Sequence, residues 1–180
     1  LGMRGGAPIA TYVLIGLNAI AFLGEMFAGG GGSGTVEAGQ HLTGDGGLCG
    51  NAIADGGFCG AEPQEGGEPF RIITGAFLHA GPLHLLLNMF ALYVLGTLIE
   101  PAIGTLRFVA IYFVALLAGS FGALLATNLN EVTVGASGAI FGLMGAAFVI
   151  ARYRGMQEIQ SQIGLFVVLN LVFTFAVPGI

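Results

Sequence analysis

Five apolar runs, each close to the ~20 residues a helix needs to cross the hydrocarbon core of a bilayer, occupy most of this chain. They extend over Pro8–Phe27, roughly Gly81–Ile99, about Leu106–Ala126, about Gly135–Ala151, and a fifth run that ends near Val177. Backbone polar groups in lipid must be satisfied within their own segment, so such runs are helices. The expected fold class is all-α, a polytopic transmembrane helix bundle. A signal peptide is the competing reading of the first run, with Ala28-Gly29 as its cleavage site. Its apolar core would be shorter, however, at ~7–15 residues.

Composition agrees, since 55% of the 180 residues are hydrophobic and only 8% are charged, against roughly 25% charged in soluble domains. The basic complement is Arg4, Arg71, Arg107, Arg152 and Arg154, with no lysine. Nothing here could neutralise a run of phosphates, which excludes nucleic acid as a partner. Three regions follow: an N-terminus with the first span (1–28), a loop (29–68), and a core carrying spans two to five (69–180). The first residue is Leu1 and the last, Ile180, directly follows an apolar run, so the chain reads as cut at both ends.

The loop holds fifteen glycines, six acidic side chains and no basic one, a composition that cannot bury enough apolar surface to order itself. Cys49 and Cys59, the two cysteines of the chain, are expected to form a disulfide if the loop faces an oxidising compartment. Isolated thiols, or a partial metal site with His41, are the alternatives. Two Cys and one His fall short of the four ligands of a structural zinc site, so no metal is expected.

Phe70–Ala80 is amphipathic and leads into the second span, where His79, His84 and Asn88 fall together. His84 and Asn88, four apart, project from one helical face. In hydrocarbon such groups are functional candidates, although a pair bonded across helices as structural glue fits the spacing equally well. Glu100–Thr105 reads as a tight turn. Ala115, Gly119 and Ala123 give the third span a small-residue face for close packing. Gln157, Glu158, Gln160 and Gln162 read as a polar link before the fifth span.

Alternation of spans puts Arg4, Arg107, Arg152 and Arg154 on one side and Arg71 on the other, and the positive-inside rule makes the four-arginine side cytoplasmic. Residues 29–80 are then extracytoplasmic, and His84, Asn88 and Ser137 lie at the same outer depth of a cell membrane. Ser137 sits in Val134-Gly-Ala-Ser-Gly-Ala139, where the fourth apolar run begins. It is either a small packing residue or a nucleophile at a helix start, with the unpaired amides of Gly138 and Ala139 beside it to bind an oxyanion. His84 and Asn88 could complete such a hole, and Gly135 and Gly138 would let a peptide backbone approach. The soluble G-x-S-x-G elbow does not fit, because its last position is Ala139 and a membrane chain lacks the strand-to-helix turn.

Gly135-Ala-Ser-Gly138, together with His79, His84 and Asn88 in an H-x4-H-x3-N pattern, resembles the rhomboid family of intramembrane serine proteases, and Phe70-Arg71 stands where that family often has Trp-Arg. The similarity covers about Pro69–Ile180. It implies an intramembrane serine endopeptidase that cleaves transmembrane segments of other membrane proteins within the lipid bilayer. By that resemblance Ser137 is the nucleophile, His84 and Asn88 hold the oxyanion, and His79 is structural. Phe141 matches the aromatic position that packs on the base imidazole, and Arg71 anchors its loop near the headgroups or simply snorkels.

Rhomboids carry the general-base histidine of the Ser–His dyad on a sixth span, and these 180 residues stop short of one. The fragment alone is therefore expected to be inactive, since a serine hydroxyl without a base is a weak nucleophile. A non-catalytic rhomboid-like protein that binds transmembrane clients is the alternative. A transporter fits poorly, because the spans hold essentially Glu25 as their ionisable group. No cofactor is implied by the chemistry.

Overall fold

The computed structural model describes residues 6–28, 47–48, 68–126 and 132–176, with side chains as far as residue 169. Among these residues the order is α1 (Ile9–Ala28), the single turn α2 (Arg71–Thr74), α3 (Pro82–Ile103), α4 (Thr105–Ala126), α5 (Ser137–Tyr153) and α6 (Gln157–Ala176). The five expected spans correspond to α1, α3, α4, α5 and α6. Three of them, α1 over Ile9–Phe27, α3 and α4, are long and apolar enough to cross a membrane. Large apolar side chains stand exposed on their outer faces, among them Ile20, Phe90, Val114, Phe121 and Leu125. A helix apolar on both faces is stable when its outer face meets hydrocarbon, so the protein is a multi-pass membrane protein.

The core is built where helical spacing brings apolar groups to one side. Leu92, Leu95 and Ile99 of α3 meet Phe108, Tyr112 and Leu116 of α4 and Ile140, Leu143 and Met144 of α5. Along the α4–α5 seam the small-residue face expected from sequence is used as predicted. A Cβ added to Gly119 would stand 2.6 Å from the Gly138 α-carbon, and one on Gly142 would overlap the Ala115 Cβ. The two backbones therefore touch, which is what small residues permit in membranes.

The start of α1 is capped by another helix. Helix geometry leaves first-turn amides without partners inside the helix, and the Glu100 carboxylate takes up two of them. Ala10 N–H donates to Oε1 at 3.0 Å, and Thr11 donates to Oε2 from both its N–H (2.9 Å) and its hydroxyl (2.8 Å). Gly96, one turn earlier on α3, leaves the room that Thr11 occupies.

Three boundaries differ from expectation. The predicted turn over Glu100–Thr105 is helical to Ile103, with Pro101 inside the last turn, and Gly104 alone (φ 90°) breaks α3 from α4. So near the helix end Pro101 forfeits a single backbone bond, and Glu100 stays on the helix face that reaches α1. The fourth span begins at Ser137 rather than Gly135, which stays in the loop with φ 115°. The expected polar link is the opening of α6 itself, because Gln and Glu are good helix formers and Glu158 suits the positive end of the helix dipole.

Candidate active site

α5 has 17 residues and so rises about 25 Å at ~1.5 Å per residue, less than the 22-residue α3 and α4. The irregular residues before it line a cavity of about 280 Å³ into which Ser137, the first residue of α5, also opens. Ala136 precedes it with no side-chain cap. The first amide to bond back is that of Ile140, to Ala136 O at 3.0 Å, so the Ser137, Gly138 and Ala139 amides have no partner within the helix. Ser137 is half-buried.

His84 approaches the same loop from α3. A Cβ added to Gly135 would lie 2.7 Å from His84 Cε1 and 2.9 Å from Nε2, so the imidazole edge rests on the Gly135 backbone, two residues ahead of Ser137. Gly135 also has a structural reason to be glycine: its φ is positive, and a Cβ there would press on the imidazole. The space beside Gly138 likewise goes to Gly119 of α4. Asn88 is buried one turn below His84, and its Nδ2 donates to His84 O at 2.8 Å. Phe141 lines the cavity with Ser137.

His79 stands behind His84, with ring centroids 5.2 Å apart and planes at 64°. Its Nδ1 lies 3.3 Å from Phe77 O, so that nitrogen carries the proton. Burial pushes the His79 pKa down to about 4, with the nearby His84 adding to the effect, so it is neutral. Its backbone N–H donates to Glu25 Oε2 at 3.3 Å. Glu25 thus belongs to the surroundings of the site, and its sequence signal was that of an acidic group inside an apolar span.

Arg71 corrects the headgroup and snorkelling expectations. It is 1% exposed, pairs with Glu68 through Nε at 2.7 Å, and donates from Nη1 to Gly47 O at 3.2 Å. The neighbouring Leu48 forms an isolated antiparallel bridge with Thr133. Ser120, also missed in sequence, lines the cavity and donates to Ile72 O at 2.9 Å. Cys49, Cys59 and His41 lie outside the described residues.

A family model described as the rhomboid domain matches residues 66–179. The chain belongs to the rhomboid family. It is 38% identical over 117 residues to "Rhomboid protease GluP" of Bacillus subtilis, a match covering 63% of this chain and 23% of that protein. It is 45% identical over 83 residues to "RHOMBOID-like protein 5" of Arabidopsis thaliana, covering 46% of this chain and 27% of the relative. "Inactive RHOMBOID-like protein 8" of the same plant is 34% identical over 111 residues, covering 61% and 31%. The matched region thus spans under a third of the length of each of these relatives. No solved structure matches. The rhomboid match takes in Ser137, His84, Asn88 and the whole cavity lining except Leu48.

Proposed function

We propose that the protein from which this chain comes is an intramembrane serine endopeptidase acting on transmembrane segments of other membrane proteins. The observation that carries the reading is Ser137 at an uncapped helix start, opening into a cavity, with the His84 imidazole set against Gly135 two residues away. Ser137 Oγ attacks the peptide carbonyl and a C–O bond forms. Its proton passes to a histidine base on a further span, outside these 180 residues. The negative oxygen is held by the amides at the start of α5 and by His84 and Asn88, donors of a kind that lower acyl-transfer barriers. The C–N bond then breaks as the base protonates the leaving amine, and water hydrolyses the acyl-serine. Gly135, Gly138, Phe141 and His79 hold this geometry. In this reading the protein sits in the cell membrane with its four-arginine side cytoplasmic and Ser137 opening outward.

Full-length protein in liposomes, presented with a transmembrane reporter, tests the reading. Cleavage is expected, abolished in Ser137→Ala and lowered ~10²–10³-fold by His84→Ala, the scale for losing one oxyanion donor. Cleavage that survives Ser137→Ala overturns it. The similarity to a relative named inactive favours a second reading, a rhomboid-like protein that binds transmembrane clients without cutting them. Reporter capture with no Ser137-dependent cleavage by the full-length protein would select it.

A further inference from the structure

We infer that Leu48 is a specificity-determining residue: it walls the cavity into which Ser137 opens and sets the size of the substrate side chain beside the attacked carbonyl. The inference rests on the protease reading above. Leu48 comes from the glycine-rich stretch, where composition predicts little order, yet it is 4% exposed. Three separate attachments hold it. Its N–H donates to Thr133 O at 2.9 Å, and Thr133 N–H donates back to Leu48 O at 2.8 Å. The preceding carbonyl, Gly47 O, accepts from buried Arg71 at 3.2 Å, and Glu68 holds that guanidinium in place. The third is steric: a Cβ on Gly75 would meet Leu48 N at 2.8 Å and Leu48 Cβ at 3.2 Å, so only glycine at position 75 lets Leu48 seat.

The cavity wall is otherwise formed largely by small residues such as Gly75, Ala76, Gly119, Gly138 and Ala139. Its large side chains are Leu48, Leu116 and Phe141. Leu116 belongs to the buried core of α4 and Phe141 to α5, so the bundle itself holds both. Leu48 belongs to none of the helices and is held at the cavity by its pairing with Thr133. A carbonyl under attack must lie about 3–3.5 Å from Ser137 Oγ. The side chain on that carbonyl's residue therefore occupies the same cavity and meets the Leu48 wall.

The test uses full-length protein in liposomes with reporters that differ only in the residue before the mapped cleavage point: Gly, Ala, Leu or Phe. Leu48→Ala removes three carbons from the wall and is expected to raise kcat/KM for the Leu and Phe reporters, relative to Ala, by about tenfold, the lower end for one methylene in an apolar pocket. Leu48→Met, which keeps the volume, should leave the ranking unchanged. If Leu48→Ala fails to insert, Leu48→Val serves, with a severalfold shift toward the Leu reporter expected. Ser137-dependent cleavage whose ranking is unchanged in Leu48→Ala, or in Leu48→Val where that is used, overturns this inference alone. Absence of Ser137-dependent cleavage by the wild type overturns both it and the protease reading.

Discussion

Replacing Glu100 by glutamine changes one atom and should unseat the start of α1. Oε1 accepts from Ala10 N–H at 3.0 Å and from the Thr105 hydroxyl at 2.8 Å. Oε2 accepts from Thr11 N–H at 2.9 Å and from the Thr11 hydroxyl at 2.8 Å. Each oxygen thus faces one backbone amide and one hydroxyl. Whichever way a glutamine amide turns, its NH2 meets one such pair. The hydroxyl can rotate to accept, but the backbone N–H cannot. One first-turn amide of α1 is left buried and unpaired, at about 1–3 kcal/mol, and the remaining bonds lose their charge assistance. The expected loss is about 2–4 kcal/mol, and Glu100→Ala, which strands both amides, should lose more. Equilibrium unfolding in mixed detergent micelles, followed by circular dichroism, reads this as a roughly 30- to 700-fold change in the folding constant. A glutamine variant within about 0.5 kcal/mol of wild type, less than the net worth of one typical hydrogen bond, would refute the capping argument.

Gly135→Ala places a methyl 2.7 Å from His84 Cε1 at a residue with φ 115°. The ring must retreat about 1 Å to reach ordinary ~3.5–4.0 Å contact, and a shift of that order costs ~10²-fold in rate. Reporter cleavage by full-length Gly135→Ala should fall by about that factor with helix content retained, and undiminished cleavage would show that His84 is not held there. For His79, burial sets the folded pKa at about 4, below the unfolded value of about 6.5. The unfolded chain therefore binds a proton first as pH falls, and stability should decline between pH 7 and 4. His79→Gln should flatten that decline in an unfolding series across pH, and parallel profiles for the two proteins would count against a neutral buried His79.

Much of the site was legible because its members carry unusual side chains for their surroundings. Serine between glycines, and His84 four residues from Asn88, stand out against hydrocarbon whatever the helices do next. Glu25 stood out in the same way, but its partner is a backbone amide at position 79, and backbone groups leave no mark in a sequence. Glu100 was hidden by Pro101 and Gly104, whose turn chemistry is a sound local signal. Burial against α1 and one tolerable missing bond kept the helix going past it. Leu48 was the hardest to see, because an isolated leucine in a glycine-rich acidic loop carries no period and its position depends on Thr133, Arg71 and Gly75 together.

Local hydropathy and residue type alone therefore determined the helical class, the spans to within a few residues, and the polar groups on which chemistry could rest. Each of these depends on neighbours within a few positions along the chain or on a free-energy cost set by the solvent, and both are written in the order of residues. Tertiary structure decided which glycine faces which partner, that a carboxylate 90 positions away caps α1, and that a loop leucine walls the serine cavity. Those contacts are set by how helices of fixed shape come together, through packing and pairing between residues that no local pattern connects.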